Sequence, residues 1–247
     1  MNITYKSDGF AKYYSTNRHH WDEFYESERY IMGHFMDATN APFSVLDVGC
    51  GCGGLGKALS ERYQISMYKG IDINLPNIEA GKKILSLNCP FELSCEDVAK
   101  MKSDDGYDFV ISFSCIDYNL EVKEMLDACW SQVKLGGKLV LSVRLTNKPG
   151  INDIKQSYQP VDIESELSSE ADEVANYVVF NCNEFFQTIK TLDNLASATG
   201  YGYWGAPSKT AHTPYSRLCF SVFGLEKGNA DIPYVNLRLP LDLFEKA

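Results

Sequence analysis

The reading of this chain turns on Ser44-Val45-Leu46-Asp47-Val48-Gly49-Cys50-Gly51-Cys52-Gly53-Gly54-Leu55-Gly56. It opens with apolar and β-branched residues, as a buried strand does, and breaks into glycines. From Leu55 it resumes as Leu55-Gly56-Lys57-Ala58-Leu59-Ser60-Glu61-Arg62, which reads as a helix. A strand that runs through a glycine-rich turn into a helix is a cradle for a nucleotide cofactor. Glycine admits positive φ and lets a ligand approach the main chain closely. The helix that follows presents free N–H groups and its positive dipole end.

Two cofactors compete for this cradle. Gly51, Gly53 and Gly56 fit the dinucleotide pattern G-x-G-x-x-G, with Asp72 about 20 residues further on. The stretch resembles more closely the S-adenosyl-L-methionine (SAM) loop of class I methyltransferases, an acidic residue two positions before a G-x-G-x-G run: Asp47-Val48-Gly49-Cys50-Gly51-Cys52-Gly53. A carboxylate there would lie near the pyrophosphate of a dinucleotide, whereas a sulfonium cofactor with an ammonium group can use one. A glycine-rich turn with no ligand is the bland alternative.

The later strands extend the resemblance. Ser66 to Ile73 is a second strand ending in Asp72, where nucleotide-binding α/β folds place a carboxylate for the ribose hydroxyls. Phe91 to Val98 is a third strand that again ends acidic; the resemblance implies that Asp97 accepts from the adenine amino group, with Glu96 as the alternative, and that the Val98 N–H meets a ring nitrogen. Tyr107 to Cys115 is the fourth strand, entered through the turn at Asp104-Asp105-Gly106, and Leu135 to Val143 carries the fifth. The resemblance covers roughly residues 43 to 145 and implies a doubly wound, Rossmann-like α/β fold with a mostly parallel, seven-stranded sheet. It further implies cofactor contacts from Asp47, Gly49, Cys50, Gly51, Gly53, Leu55, Asp72, Ile73, Ser112 and Phe113, with S-adenosyl-L-homocysteine (SAH) as the product.

Length and composition fit this expectation. The 247 residues suit one α/β domain with additions, and a hydrophobic fraction of 45% is that of a globular protein. A formal charge of −10 argues against a nucleic-acid backbone as partner, since phosphate binding needs a basic footprint. The eight cysteines are scattered, Cys50-x-Cys52 has the wrong spacing for a zinc knuckle, and no metal site is expected. Residues 1–8 lack the apolar run of a signal peptide and no stretch suits a bilayer span, so a soluble, cytoplasmic protein is expected.

Residues 1–40 read as a helical cap. Trp21, Phe24, Tyr25, Glu28, Ile31, Met32 and Phe35 recur at helical spacing, with Thr16 or Asn17 as the start. Many small-molecule class I methyltransferases cover the cofactor with such a helix, and the resemblance makes Tyr14, Arg18 and Trp21 the residues for the methionyl carboxylate. Arg18 suits it because its fork binds both oxygens.

Residues 41–227 are then the catalytic domain, and 228–247 an extended tail that crosses the surface or a partner subunit, which leaves a homodimer open. Within the domain, residues 146–176 hold Asp153, Asp162, Glu164, Glu166, Glu170, Asp172 and Glu173 against Lys148 and Lys155: a solvated excursion, or an acceptor lid. Asn183 is the expected cap of a helix through Ile189. The glycine-aromatic run Gly200 to Pro207 and the strand Arg217 to Glu226 form an antiparallel pair joined by the loop 208–214. The aromatic surface there suits either stacking on a sugar or packing.

Methyl transfer to a hydroxyl is helped by a general base, and His is the usual one near neutral pH. His19 and His20 lie in the cap, His212 in the C-terminal loop, and His34 in the helical stripe, where it reads as structural. Asp117, just past the fourth strand, is placed where the acceptor belongs. Asp117 and His20 rank first. The expected activity is SAM-dependent methylation of a small molecule, with a sugar or nucleotide-linked sugar hydroxyl leading, by similarity to enzymes of bacterial polysaccharide and natural-product pathways. Methylation of an amine, RNA or protein, and a noncatalytic SAM- or dinucleotide-binding module, are the alternatives.

Overall fold

A computed structural model of the chain describes residues 9–102, 105–161, 173–230 and 232–245. Asp104, and the acidic residues Asp162, Glu164, Glu166, Glu170 and Asp172, lie outside the described residues.

Helix α1 (Gly9–Tyr14) and helix α2 (Glu26–Met36) precede the sheet. Strand β1 (Phe43–Val48) then leads through the glycine loop into α3 (Gly54–Ser60). β2 (Ile65–Asp72), α4 (Leu75–Ile84), β3 (Phe91–Cys95), β4 (Tyr107–Ser112), α5 (Val122–Ser131) and β5 (Val133–Thr146) follow as strand–helix alternation. A small antiparallel pair, β6 (Tyr158–Pro160) and β7 (Val174–Asn176), stands apart from the main sheet. The chain closes with β8 (Phe180–Asn181), α6 (Cys182–Ile189), β9 (Leu195–Gly205), β10 (Leu218–Lys227) and β11 (Tyr234–Arg238).

The main sheet runs β11-β9-β10-β5-β4-β1-β2-β3, with β8 on the end of β5. β3, β2, β1, β4 and β5 are parallel; β10 is antiparallel to both β5 and β9. These are the seven expected strands, extended by β8 and β11. Because side chains alternate across a strand, β1 feeds two cores. Leu46 and Val48 face the side covered by Leu126 and Trp130 of α5 and Phe185 of α6. Phe43 and Val45 face Ile31 and Met32 of α2, Leu59 of α3 and Ile78 of α4. Full burial of each such side chain contributes roughly 1.5–3 kcal/mol. The parallel order turns all the loops that follow β1–β5 toward one edge, and the site lies there.

Two expectations are corrected. The cap is not one helix from residue 16 or 17: Arg18 takes a φ of +63°, Trp21–Glu23 form a 3₁₀ turn, and α2 begins only at Glu26. Glu23 explains the break, since its carboxylate accepts from the main-chain N–H groups of His19 and His20 at 2.6 and 3.0 Å. α6 is capped by Asn181 rather than Asn183, its side chain accepting from the Asn183 and Glu184 N–H groups at 3.0 and 3.2 Å. The tail lies along the edge of the sheet, where β11 pairs in parallel with β9 along five residues. In the glycine-aromatic run, Tyr201 stacks on Tyr30 and Trp204 donates its indole N–H to Asp242 at 2.7 Å, both as packing. Among the described residues, no helix is long and apolar enough to cross a membrane.

Candidate cofactor and acceptor site

The glycine loop is tied to β2. The Gly49 and Cys50 N–H groups both donate to the Ile71 carbonyl, at 2.8 and 3.0 Å. Gly51, at φ +55°, donates its N–H to Asp72 Oδ2 at 3.0 Å. Asp72 also accepts from Asn77 Nδ2 at 3.1 Å, from the Asn74 N–H at 2.8 Å and from Asn74 Nδ2 at 3.1 Å. Burial raises the Asp72 carboxyl above its ordinary range, and the donors from Asn74, Asn77 and Gly51 oppose that rise. The cap sits on this loop: a Cβ on Gly51 would lie 3.2 Å from Tyr14 Cγ, and one on Gly54 would run into the Arg18 carbonyl.

Between loop, cap and β5 lies a cavity of about 580 Å³, the size of a small-molecule site. At one end Gly49, Gly51, Asp72, Ile73, Glu96, Asp97 and Val98 line it. These residues fit an adenosyl cofactor: a glycine loop under close cover, a buried carboxylate ending the second strand, and acidic residues following the third.

The other end is built around two buried ion pairs. Asp117 sits on a 3₁₀ turn after β4, 3% exposed. Its Oδ2 lies 3.2 Å from Arg144 Nη2, and its main-chain carbonyl accepts from the same nitrogen. Its Oδ1 is buried and has no hydrogen-bond partner among the described residues. Burial raises the Asp117 carboxyl above its usual range, while Arg144 pulls it down. Arg144, on β5, donates from Nε to the Val178 carbonyl at 3.1 Å. Its guanidinium lies 3.5 Å from the ring centre of Tyr177 and 4.4 Å from that of Tyr118. Burial pushes the Tyr118 phenol up to about 12, with Arg144 opposing, and its OH donates to Gln159 Oε1 at 2.8 Å. The second pair is Arg18 with Glu28, Nη2 donating to both carboxylate oxygens at 2.8 and 2.7 Å.

Of the residues singled out in the sequence, Tyr14, Arg18, Gly49, Gly51, Asp72, Ile73, Glu96, Asp97, Val98 and Asp117 line the cavity. Others do not. Asp47 is turned beneath the loop, where its Oδ2 accepts from the Tyr68 hydroxyl at 2.6 Å; burial raises its pKa to about 7, against that donation. Cys50 packs beside Gly70, and Leu55 and Phe113 join the core behind the loop. Ser112 is wholly buried one step before the bend, so Ser114 and Cys115 line the cavity in place of Ser112 and Phe113. Gly53 gives α3 its left-handed cap, against Leu85. Trp21 swings outward, because the cap is not a continuous helix, and packs on Tyr63 and Arg62. Glu96 is held by Lys69 at 3.1 Å, and Asp97 accepts from the Ala99 N–H at 3.0 Å.

The histidines are likewise outside the cavity lining. His19 Nε2 pairs with the Tyr14 carbonyl at 2.8 Å, so it braces the cap. His20 is exposed, 3.9 Å from Glu61. His212 stacks on Tyr158 at the surface, and His34 is exposed on α2. Sequence reasoning missed Arg144, Tyr177 and Gln159, and took Glu28 for part of an apolar stripe. A signal for one existed: Arg144 interrupts the apolar run Leu141 to Leu145, and a cation in a buried strand demands a partner.

A family profile described as "Methyltransferase domain" matches residues 45–137. Malonyl-[acyl-carrier protein] O-methyltransferase 2 of Ilyobacter polytropus is 22% identical over 151 residues, 60% of this chain and 58% of that protein. The chain therefore spans little more than half the length of that relative. Ajmaline N-methyltransferase of Rauvolfia serpentina is 24% identical over 225 residues, 85% of this chain and 73% of that protein. In fold, the magnesium protoporphyrin IX methyltransferase of Synechocystis PCC 6803 with bound SAH is similar, with a TM-score of 0.51 and 14% identity over 82% of each chain. With the cradle, the strand order and the profile in agreement, residues 45–137 match a methyltransferase domain, carried on the Rossmann-like α/β fold that SAM-dependent methyltransferases share.

Proposed function

We propose that this protein is a SAM-dependent methyltransferase acting on a small molecule, with a sugar hydroxyl, free or nucleotide-linked, as the acceptor. The observation that carries this is Asp117 Oδ1, a buried carboxylate oxygen with no partner on the wall of the cavity. A buried acceptor without a protein donor takes one from water or a ligand, and this one faces the cavity. A hydroxyl there donates to Oδ1 and passes its proton on as the oxygen is alkylated. Burial of Asp117 favours that role, since a raised carboxyl takes up a proton more readily. Arg144 fixes the other oxygen and the main chain of Asp117, so Oδ1 keeps its direction. Tyr118 and Tyr177 wall off water around the pair. Bound SAM supplies a methyl carbon on a positively charged sulfur.

Methylation of an amine is the second reading, supported by the likeness to an N-methyltransferase across 85% of this chain. The test is incubation of the protein with methyl-labelled SAM and fractionated extract of the source cells. Label in small-molecule or glycan material is expected. Label only in RNA or protein would overturn the acceptor class, and tight NAD binding without SAM affinity would overturn methyl transfer altogether.

A further inference from the structure

We infer that the acceptor carries no negative charge, so that of the two sugar forms it is the one without phosphate, neutral or amine-bearing, that the cavity takes. This rests on the methyl-transfer reading and narrows its substrate. Among the described residues lining the cavity, the cations are Arg18 and Arg144. Both are committed. Arg18 donates from Nη2 to both oxygens of Glu28, itself 1% exposed, and Arg144 is held by Asp117, by two main-chain carbonyls and by two tyrosine rings.

A phosphate or carboxylate is recognised by charge-assisted donors, arginine forks above all. An anion on either guanidinium would compete with the buried carboxylate whose charge that guanidinium already balances. The remaining charge also opposes an anion. Against those two cations stand Glu23, Glu28, Asp72, Glu96, Asp97 and Asp117 on the same lining. Bound SAM adds only one net positive charge, from its sulfonium and ammonium against one carboxylate. Lys209 lies between the lining residues Ser208 and Thr210 but is exposed and not on the wall.

The experiment divides the small-molecule extract on an anion exchanger before adding protein and methyl-labelled SAM. Label is expected in the unbound pool, at least about tenfold above the retained pool. Label chiefly in the retained pool would overturn the inference. No label in either pool from protein that binds SAM would overturn methyl transfer itself, and this proposal with it. A binding measurement needs no turnover: pyrophosphate is added to the SAH-loaded protein and its phosphorus resonance is followed. The wild type is expected to leave the line sharp, while Glu28→Gln, which releases Arg18, broadens it. Broadening by the wild type that Arg18→Ala abolishes would place an anion on that arginine and overturn the inference.

Discussion

Asp72 and Asp117 are both buried carboxylates on the wall of one cavity, 7% and 3% exposed, and burial raises both. They differ in what surrounds them. Asp72 accepts four hydrogen bonds, two from main-chain N–H groups, and is complete before any ligand arrives. Asp117 has one oxygen satisfied and one left over. The first arrangement holds a loop in shape; the second leaves capacity for a substrate. On the proposed reading, the cofactor end is architecture made of backbone and strand ends, and the acceptor end is chemistry made of side chains brought from distant segments.

The widest gap between the two is expected from Asp117→Asn. The amide keeps the shape and can still face Arg144, but takes no proton. Turnover should fall by about a hundredfold or more, in the range of general-base removal, while SAM affinity by calorimetry stays within about threefold. Retained turnover would remove Asp117 as the proton acceptor and return the hydroxyl chemistry to another group. Asp72→Ala should do the reverse, weakening SAM binding by more than about tenfold, or about 1.4 kcal/mol. It orphans the Gly51 N–H as well as the Asn74 and Asn77 donors, so the loop under the cofactor loses its shape. Unchanged affinity would take Asp72 out of the site.

The same division explains what could be read from the chain. Asp47 to Val98 is local: each strand is followed by its loop, and a carboxylate at a strand end has only one place to go. Asp72, Asp97 and the glycines were legible for that reason. Where a side chain's direction mattered, one step sufficed to mislead, as with Ser112 and Phe113, which face inward while Ser114 and Cys115 line the cavity. The acceptor end joins residues 28, 117, 144 and 177, which share no periodicity. The pairing of Arg144 with Asp117 exists only because β5 lies beside β4, and the pairing of Arg18 with Glu28 only because the cap breaks at Glu23. The histidines drew attention by residue type alone, and none of the four lines the cavity.

The cap offers an intermediate case. Tyr14→Ala removes the ring that lies on Gly51 while leaving the sheet and both ion pairs in place. SAM affinity should fall about threefold to tenfold, mainly through faster dissociation, as expected when a cover is trimmed but no anchor is lost. Stopped-flow measurement of release separates the two ends: an unchanged rate would mean that the cap braces the protein but does not retain the cofactor.

Asp47→Asn should alter ligand binding least, since Asp47 lies under the loop and off the cavity wall. Its effect is on folding. In the unfolded chain the carboxyl titrates near its ordinary value, about 3.9. In the folded protein, burial lifts it to about 7. Between these values the folded state keeps a proton that the unfolded state has released, so the contribution of Asp47 to stability falls as pH rises, and levels off above the folded pKa. Asparagine does not titrate and still accepts from Tyr68. The variant should therefore gain on the wild type by roughly 2 kcal/mol between pH 5 and pH 7, read as a growing difference in melting temperature. A difference that stays constant with pH would mean that Asp47 is already ionised in the folded protein at pH 5, and would restore it as a fixed negative charge beneath the glycine loop.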